Sequence, residues 1–92
     1  MQFEQANSYG SPFQQRRSEV IRQSLDHLLA MAQSYRSEGN PRQAMDIYWK
    51  VFDDYSDTTQ GQEAQESLLS LAEEYEREGY RHQSRAVYVR LL

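Results

Sequence analysis

The 92-residue sequence contains no cysteine, only two prolines and only four glycines. Without cysteine, neither disulfides nor thiolate metal sites can supplement the thin core that a chain of this length can build. No apolar run approaches the ~18–20 residues that a membrane span requires, and the first residues lack the basic and apolar segments of a secretory signal. These absences predict one small domain with no membrane span, and a cytoplasmic location by default.

The sequence also has fewer basic than acidic side chains. Ten Lys and Arg against fourteen Asp and Glu give a formal net charge of −4. An acidic chain repels the phosphates of nucleic acid, whose binding requires a basic face. The charge balance therefore predicts no nucleic-acid partner and leaves protein or peptide as the expected partner class.

Residues 1–17 differ in composition from the rest of the chain. They contain four glutamines, and three aromatic residues (Phe3, Tyr9 and Phe13) at no helical or strand spacing. Such a segment buries too little surface to offset the entropy of ordering it. It is predicted to be a disordered Gln-rich tail, either a solvated leader or a short docking peptide that uses the three aromatic side chains.

From residue 18 onward, apolar residues recur at spacings of three and four, which predicts four helices and no strand. Ser18 is the expected N-cap of the first helix. Gly39 is expected as its left-handed C-cap, with Asn40-Pro41 as N-cap and first position of the second helix. Thr59 and Gln62 form a capping box for the third helix, and the fourth is expected to begin near residue 81.

The chain aligns with itself when it is shifted by 40 residues. The first copy (residues 18–56) and the second (residues 59–92) share identical residues at equivalent positions: Leu28-Leu29 and Leu68-Leu69, Ala32 and Ala72, Tyr35 and Tyr75, Glu38-Gly39 and Glu78-Gly79, Gln43 and Gln83, Tyr48 and Tyr88. A fixed period of this size predicts stacked helix pairs.

These positions resemble the tetratricopeptide repeat family over residues ~25–92 in two copies. The family carries a large apolar residue, an apolar-small pair, then Tyr, Gly, Ala and an aromatic residue at fixed offsets. The matching residues are Leu28, Met31-Ala32, Tyr35, Gly39, Ala44 and Tyr48, then Leu68, Leu71-Ala72, Tyr75, Gly79, Ser84 and Tyr88. The period of 40 exceeds the usual 34. The resemblance implies an all-α fold of antiparallel helix pairs, stacked as a short α-solenoid that binds protein.

In that family, the first helix of each pair lines a concave groove. Carried over by position, the groove residues are Asp26, Leu29, Gln33 and Arg36 in the first copy, and Glu66, Leu69, Glu73 and Glu76 in the second. Leu29 and Leu69 are expected either to anchor an apolar side chain of a ligand in a polar, partly acidic groove or to belong to a wide core stripe.

No residue pattern indicates catalysis. His27 and His82 lie on different helices with no cysteine or second histidine nearby, and a metal site needs three or four convergent ligands. The glutamates between positions 73 and 78 are interpreted as a solvated helix face paired with Arg77 and Arg81. Nucleophile motifs and Gly-rich phosphate loops are absent from the sequence. The sequence predicts no enzyme, no metal and no cofactor.

The fourth helix ends within an apolar stripe, and exposed apolar patches usually mark an interface. A homodimer or larger assembly is therefore expected, with Val87, Tyr88, Leu91, Leu92 and Trp49 at the interface. An alternative for Trp49 is that it covers the edge of the helix stack. An alternative for the last turn of the fourth helix is that it frays and needs no partner. The predicted function is a protein–protein interaction adaptor; the alternative is a small non-catalytic accessory subunit of a larger enzyme or assembly complex.

Overall fold

A computed structural model describes residues 12–92 of the chain and shows an all-α fold. Four helices follow one another: α1 (Pro12–Ser37), α2 (Pro41–Asp54), α3 (Thr59–Arg77) and α4 (Arg81–Leu91). Over these residues the prediction of four helices without a strand is confirmed. None of these helices is long and apolar enough to cross a membrane.

Each helix packs against the next one in sequence, and α1 also packs against α3. Hydrogen bonds join Asp26 to Gln60 near the start of α3, and Arg36 to Ser70 further along it. Because the order of these contacts is the same on both helices, α1 and α3 run in the same direction. The long axis of the molecule measures 62 Å against 27 and 13 Å for the other two axes.

The first helix begins at Pro12, six residues before the predicted N-cap Ser18, which lies inside the helix. Proline is favoured at the first helical position because its missing N–H needs no partner there. The following Gln and Arg residues are good helix formers, so the helix continues even though residues 12–17 are all exposed. The tail prediction for residues 1–11, which includes Phe3 and Tyr9, lies outside the described residues.

Two glycines end the first helix of each pair in the same way. Gly39 and Gly79 have φ angles of 84° and 87°, the left-handed region that favours glycine. At the first turn, the N–H of Asn40 donates to the carbonyl of Tyr35 at 2.8 Å and that of Gly39 to Arg36 at 3.1 Å. These two bonds form a Schellman motif, and the second turn repeats both. The predicted glycine cap is confirmed, although the Asn40 side chain makes no capping hydrogen bond.

The third helix is capped one residue earlier than predicted. Thr58 is the N-cap: its Oγ1 accepts from the N–H of Gly61 at 2.9 Å and donates to the carbonyl of Tyr55 at 2.6 Å. Thr59 is the first helical residue, so the predicted capping box is wrong: the third residue after the N-cap is Gly61, which has no side chain to return the bond. Gly61 is required by a close approach, because a Cβ atom there would lie 2.0 Å from the Tyr55 carbonyl oxygen.

The core runs along the stack, between consecutive helices and between α1 and α3. Alanine or serine is buried where the paired helices approach closely, and large apolar side chains fill the space beside them. The fully or nearly buried residues are Leu25, Leu29, Ala32, Ala44, Tyr48, Trp49, Val51, Ala64, Leu68, Leu71, Ala72, Ser84 and Val87.

Candidate interaction surfaces

An open cavity of about 280 Å³ lies between α1 and α3, and it contains three of the four groove residues carried over to the first repeat. Asp26, Leu29 and Gln33 line it together with Tyr48 and Glu63. The Asp26 carboxylate accepts from Gln60 Nε2 at 2.9 Å, and Gln33 Oε1 accepts from the Tyr48 hydroxyl at 2.9 Å. The residues of this cavity are therefore held in place by contacts between neighbouring helices.

Arg36, the fourth of these groove residues, is already engaged within the domain. Its guanidinium donates to Ser70 Oγ at 2.8 Å and pairs with the Glu74 carboxylate at 2.6 Å. Both partners lie on α3. Arg36 therefore links the two repeats, a role that its place in the repeat pattern does not indicate.

The four groove residues of the second repeat, Glu66, Leu69, Glu73 and Glu76, are all exposed on α3. Glu76 accepts a hydrogen bond from the Tyr88 hydroxyl at 3.1 Å. Partial desolvation, followed by the hydrogen bond and the charge of Glu76, raises the pKa of Tyr88 above its ordinary value. This surface is acidic, since three of its four groove positions carry a carboxylate.

Equivalent leucines of the two repeats have different environments. Leu29 is 7% exposed, whereas Leu69 is 37% exposed. Leu29 contributes to the core at the junction with α3, so it offers little surface to a ligand. Leu69 presents its side chain to solvent. Of the two interpretations left open by the sequence, a core position fits Leu29, and an exposed apolar position fits Leu69.

Trp49 and Val87, which the sequence placed at an oligomer interface, are buried inside the domain. The Trp49 ring contacts Phe52 edge-on, with 6.1 Å between ring centroids, and the Arg90 guanidinium lies 4.0 Å above it. Arg90 also pairs with Asp53 at 2.9 Å. The interface prediction is corrected for Trp49 and Val87: Trp49 is buried beneath Arg90, and Val87 belongs to the core.

Two of the remaining predicted interface residues, Tyr88 and Leu91, lie on a surface that also includes Leu69 and Val89. We call this surface the distal face (Leu69, Tyr88, Val89 and Leu91). Its members are the counterparts of Leu29, Tyr48, Trp49 and Val51, all of which are buried at the junction between the repeats. The contrast is largest for Trp49, which is 8% exposed, and Val89, which is 61% exposed. Leu92 next to this face is fully exposed. A surface that is buried in the first repeat is therefore more exposed in the second, where Leu69 and Val89 are exposed and Tyr88 and Leu91 are half-buried.

Among residues 12–92, no three His, Cys, Asp or Glu side chains lie close enough together to hold a metal ion. His27 and His82 are both exposed and belong to α1 and α4. That the chain is not an enzyme and binds neither metal nor cofactor remains a prediction from the sequence.

Comparisons with protein-family models, with curated proteins and with solved structures found no match for this chain. The tetratricopeptide resemblance therefore depends on the repeat positions named above.

Proposed function

We propose that this chain is a protein-interaction adaptor of tetratricopeptide type, built as a short α-solenoid, that self-associates through its distal face. The main support for this proposal is that Leu69 is exposed whereas its counterpart in the first repeat, Leu29, is buried. In the first repeat, this position and its neighbours are covered by the next helix pair. In the second repeat the equivalent positions are more exposed, with Leu69 at 37% and Val89 at 61%, and such an apolar surface favours association with another protein.

The acidic groove supports the same class of function. Asp26, Glu66 and Glu73 give this surface a negative charge, which favours protein segments with basic side chains and disfavours nucleic acid. The groove is proposed as a second contact surface for a protein or peptide partner. A cytoplasmic site of action remains a prediction from the sequence.

The solution mass, measured by light scattering during size-exclusion chromatography, tests self-association. The unmodified chain should exceed the 10.9 kDa of a monomer, with a mass that rises with concentration. Leu69→Glu should reduce it to the monomer mass, because the junction would bury an unpaired carboxylate. Ser56→Glu is the matched control: it adds the same charge at an exposed position in the turn between α2 and α3.

A monomer at all concentrations for the unmodified chain, or equal masses for Leu69→Glu and Ser56→Glu, would contradict self-association through this face. The alternative function, an accessory subunit of a larger complex, predicts a chain that does not fold alone. A cooperative thermal transition of the isolated chain, followed by circular dichroism, would favour the adaptor over that alternative.

A further inference from the structure

Among residues 12–92, no other helix covers the opposite end of the helix stack. The residues at that end align, by the 40-residue repeat, with residues of the junction between the repeats. We call this surface of α1 the proximal face (Val20, Ile21, Ser24, Leu28 and Met31). The counterparts on α3 are Gln60, Gly61, Ala64, Leu68 and Leu71, and every one of them is more buried than its α1 equivalent. Met31 is 38% exposed and Leu71 only 2%.

The junction between the two repeats therefore contains two complementary halves. One half is the surface of α1 and α2 that carries Leu29, Tyr48 and Val51; the other is the surface of α3 that carries Ala64 and Leu71. The distal face repeats the first half and the proximal face repeats the second. Among residues 12–92, no further helix lies on either face. We propose that a second copy of this chain docks head to tail, with its α1 lying on the distal face as α3 lies on α1 and α2. This inference depends on the proposed self-association and specifies its geometry.

Basic side chains near the start of α1 suit the acidic border of the distal face. Glu19, the acidic residue beside Val20, is already paired with Arg22. At the junction, Gln60 donates to Asp26, whose counterpart on the distal side is Glu66. The counterpart of Gln60 is Val20, and one turn before it α1 carries Arg16 and Arg17. A docked α1 therefore brings basic side chains toward Glu66.

A second polar contact of the junction, the pair of Arg36 with Glu74, also has an equivalent without charge repulsion in the docked arrangement. Arg36 pairs with Glu74 at the junction. The counterpart of Arg36 is Glu76 and that of Glu74 is Ser34. Glu76 would therefore face a hydroxyl group, and no pair of like charges forms.

At one position the residue of the proximal face is much larger than its counterpart on α3. Ile21 occupies the position of Gly61, where a side chain would collide with the Tyr55 carbonyl oxygen. That carbonyl belongs to the turn that covalently connects α2 to α3. A junction between separate copies does not require a connecting turn at this place, so an isoleucine is compatible with it.

A symmetric dimer through two distal faces is disfavoured by charge. Glu66, Glu73 and Glu76 border this face, and a two-fold axis would bring them toward the same three carboxylates of the other copy. Head-to-tail docking avoids this repulsion. Because a heterologous contact leaves one free face at each end, it also predicts growth beyond a dimer.

Two single variants and their mixture test the geometry. Met31→Glu disables the proximal face and Leu69→Glu the distal face; both residues are exposed, so the fold should tolerate the change, which circular dichroism checks. A buried unpaired carboxylate should weaken the contact by about 100-fold or more, so each variant alone should be monomeric. An equimolar mixture retains one intact pair of faces and should give twice the 10.9 kDa monomer mass and nothing larger.

If either variant loses helicity, Val20→Glu and Val89→Glu replace them on the same two faces, since both side chains are more than half exposed. A Met31→Glu variant that associates like the unmodified chain, while Leu69→Glu is monomeric, would overturn head-to-tail docking and leave the proposed function standing with a symmetric dimer. A mixture that stays monomeric would also overturn it. A monomeric unmodified chain would overturn both proposals together.

Discussion

Leu29 and Leu69 occupy the same position in two copies of one pattern, yet one belongs to the core and the other to the surface. The same division separates Trp49 from Val89, and Tyr48 is fully buried where Tyr88 is half-buried. The local structure of the two repeats is equivalent, including the Schellman turns at Gly39 and Gly79. The burial of a position is therefore determined by whether another helix pair lies on it.

The largest effect is expected at the junction itself. Gly61→Ala places a methyl group against the Tyr55 carbonyl oxygen, so α3 must shift away from α2. We expect a loss of about 3 kcal/mol in the free energy of unfolding, at the upper end of overpacking effects. Urea denaturation followed by circular dichroism measures it.

The control for Gly61→Ala is Gly79→Ala, because a Cβ atom added at Gly79 would have open space around it, with no neighbouring side chain within 4 Å. It introduces only the strain of a positive φ angle, about 1 kcal/mol. Equal losses for the two variants would show that the close approach at the junction is not what requires Gly61.

The next prediction concerns the leucine pair. Leu29→Ala removes buried surface and should cost about 2 kcal/mol, at the low end of the range for such changes because an open cavity adjoins the site. Leu69→Ala should change the stability by less than about 0.5 kcal/mol in the monomer. The two variants differ only in the repeat that carries them.

The pair is measured by urea denaturation at a concentration where light scattering shows monomer. Equal costs in the two repeats would contradict the assignment of Leu29 to the core and Leu69 to the surface. If Leu69→Ala lowers the free energy of unfolding more at high protein concentration, the additional loss measures the contribution of self-association through the distal face.

A smaller effect is expected from Arg36, which makes one of the polar links between the repeats. Arg36→Met removes the pair with Glu74 and the hydrogen bond to Ser70 while keeping an aliphatic side chain. Because Glu74 is partly exposed to solvent, the loss should be about 1 kcal/mol and should shrink at high salt. Arg42→Met, at an exposed position of α2, is the control. A loss that does not depend on salt would argue against the ion pair as its cause.

The elements that could be predicted from the sequence are those with local causes. The helix stripes, the glycine turns and the bounds of α2 to α4 follow from residues within a few positions of each other. The start of α1 was missed because Pro12 and the polar residues after it carry no apolar period.

The environment of the candidate site depends on distant contacts that no local pattern encodes. Leu29 and Leu69 are the same residue in the same pattern, so periodicity cannot tell them apart. The burial of Trp49 depends on Arg90, which lies on another helix. The need for Gly61 depends on the path of the turn at Tyr55. None of these features can be predicted without knowing how the helices pack.

The smallest expected effect compares the two tyrosine hydroxyls. Tyr48 donates to the neutral Gln33, whereas Tyr88 donates to the carboxylate Glu76. Partial desolvation and this hydrogen bond raise the pKa of Tyr88 above 10.0, so the neutral hydroxyl is favoured in the folded state. The stability that results is fully present below the unfolded pKa and is lost as the pH rises through the folded pKa.

The titration of Tyr88 can be followed by NMR with ¹³C-labelled tyrosine, with Tyr88→Phe to assign the signal. Glu76→Gln should lower the pKa of Tyr88 but not abolish its rise, because desolvation remains the larger cause. Glu78→Gln, which removes the same charge two residues further on, should leave it nearly unchanged. If Glu76→Gln has no effect, the hydroxyl does not donate to Glu76. The contrast between the repeats would then be one of packing alone and not of charge.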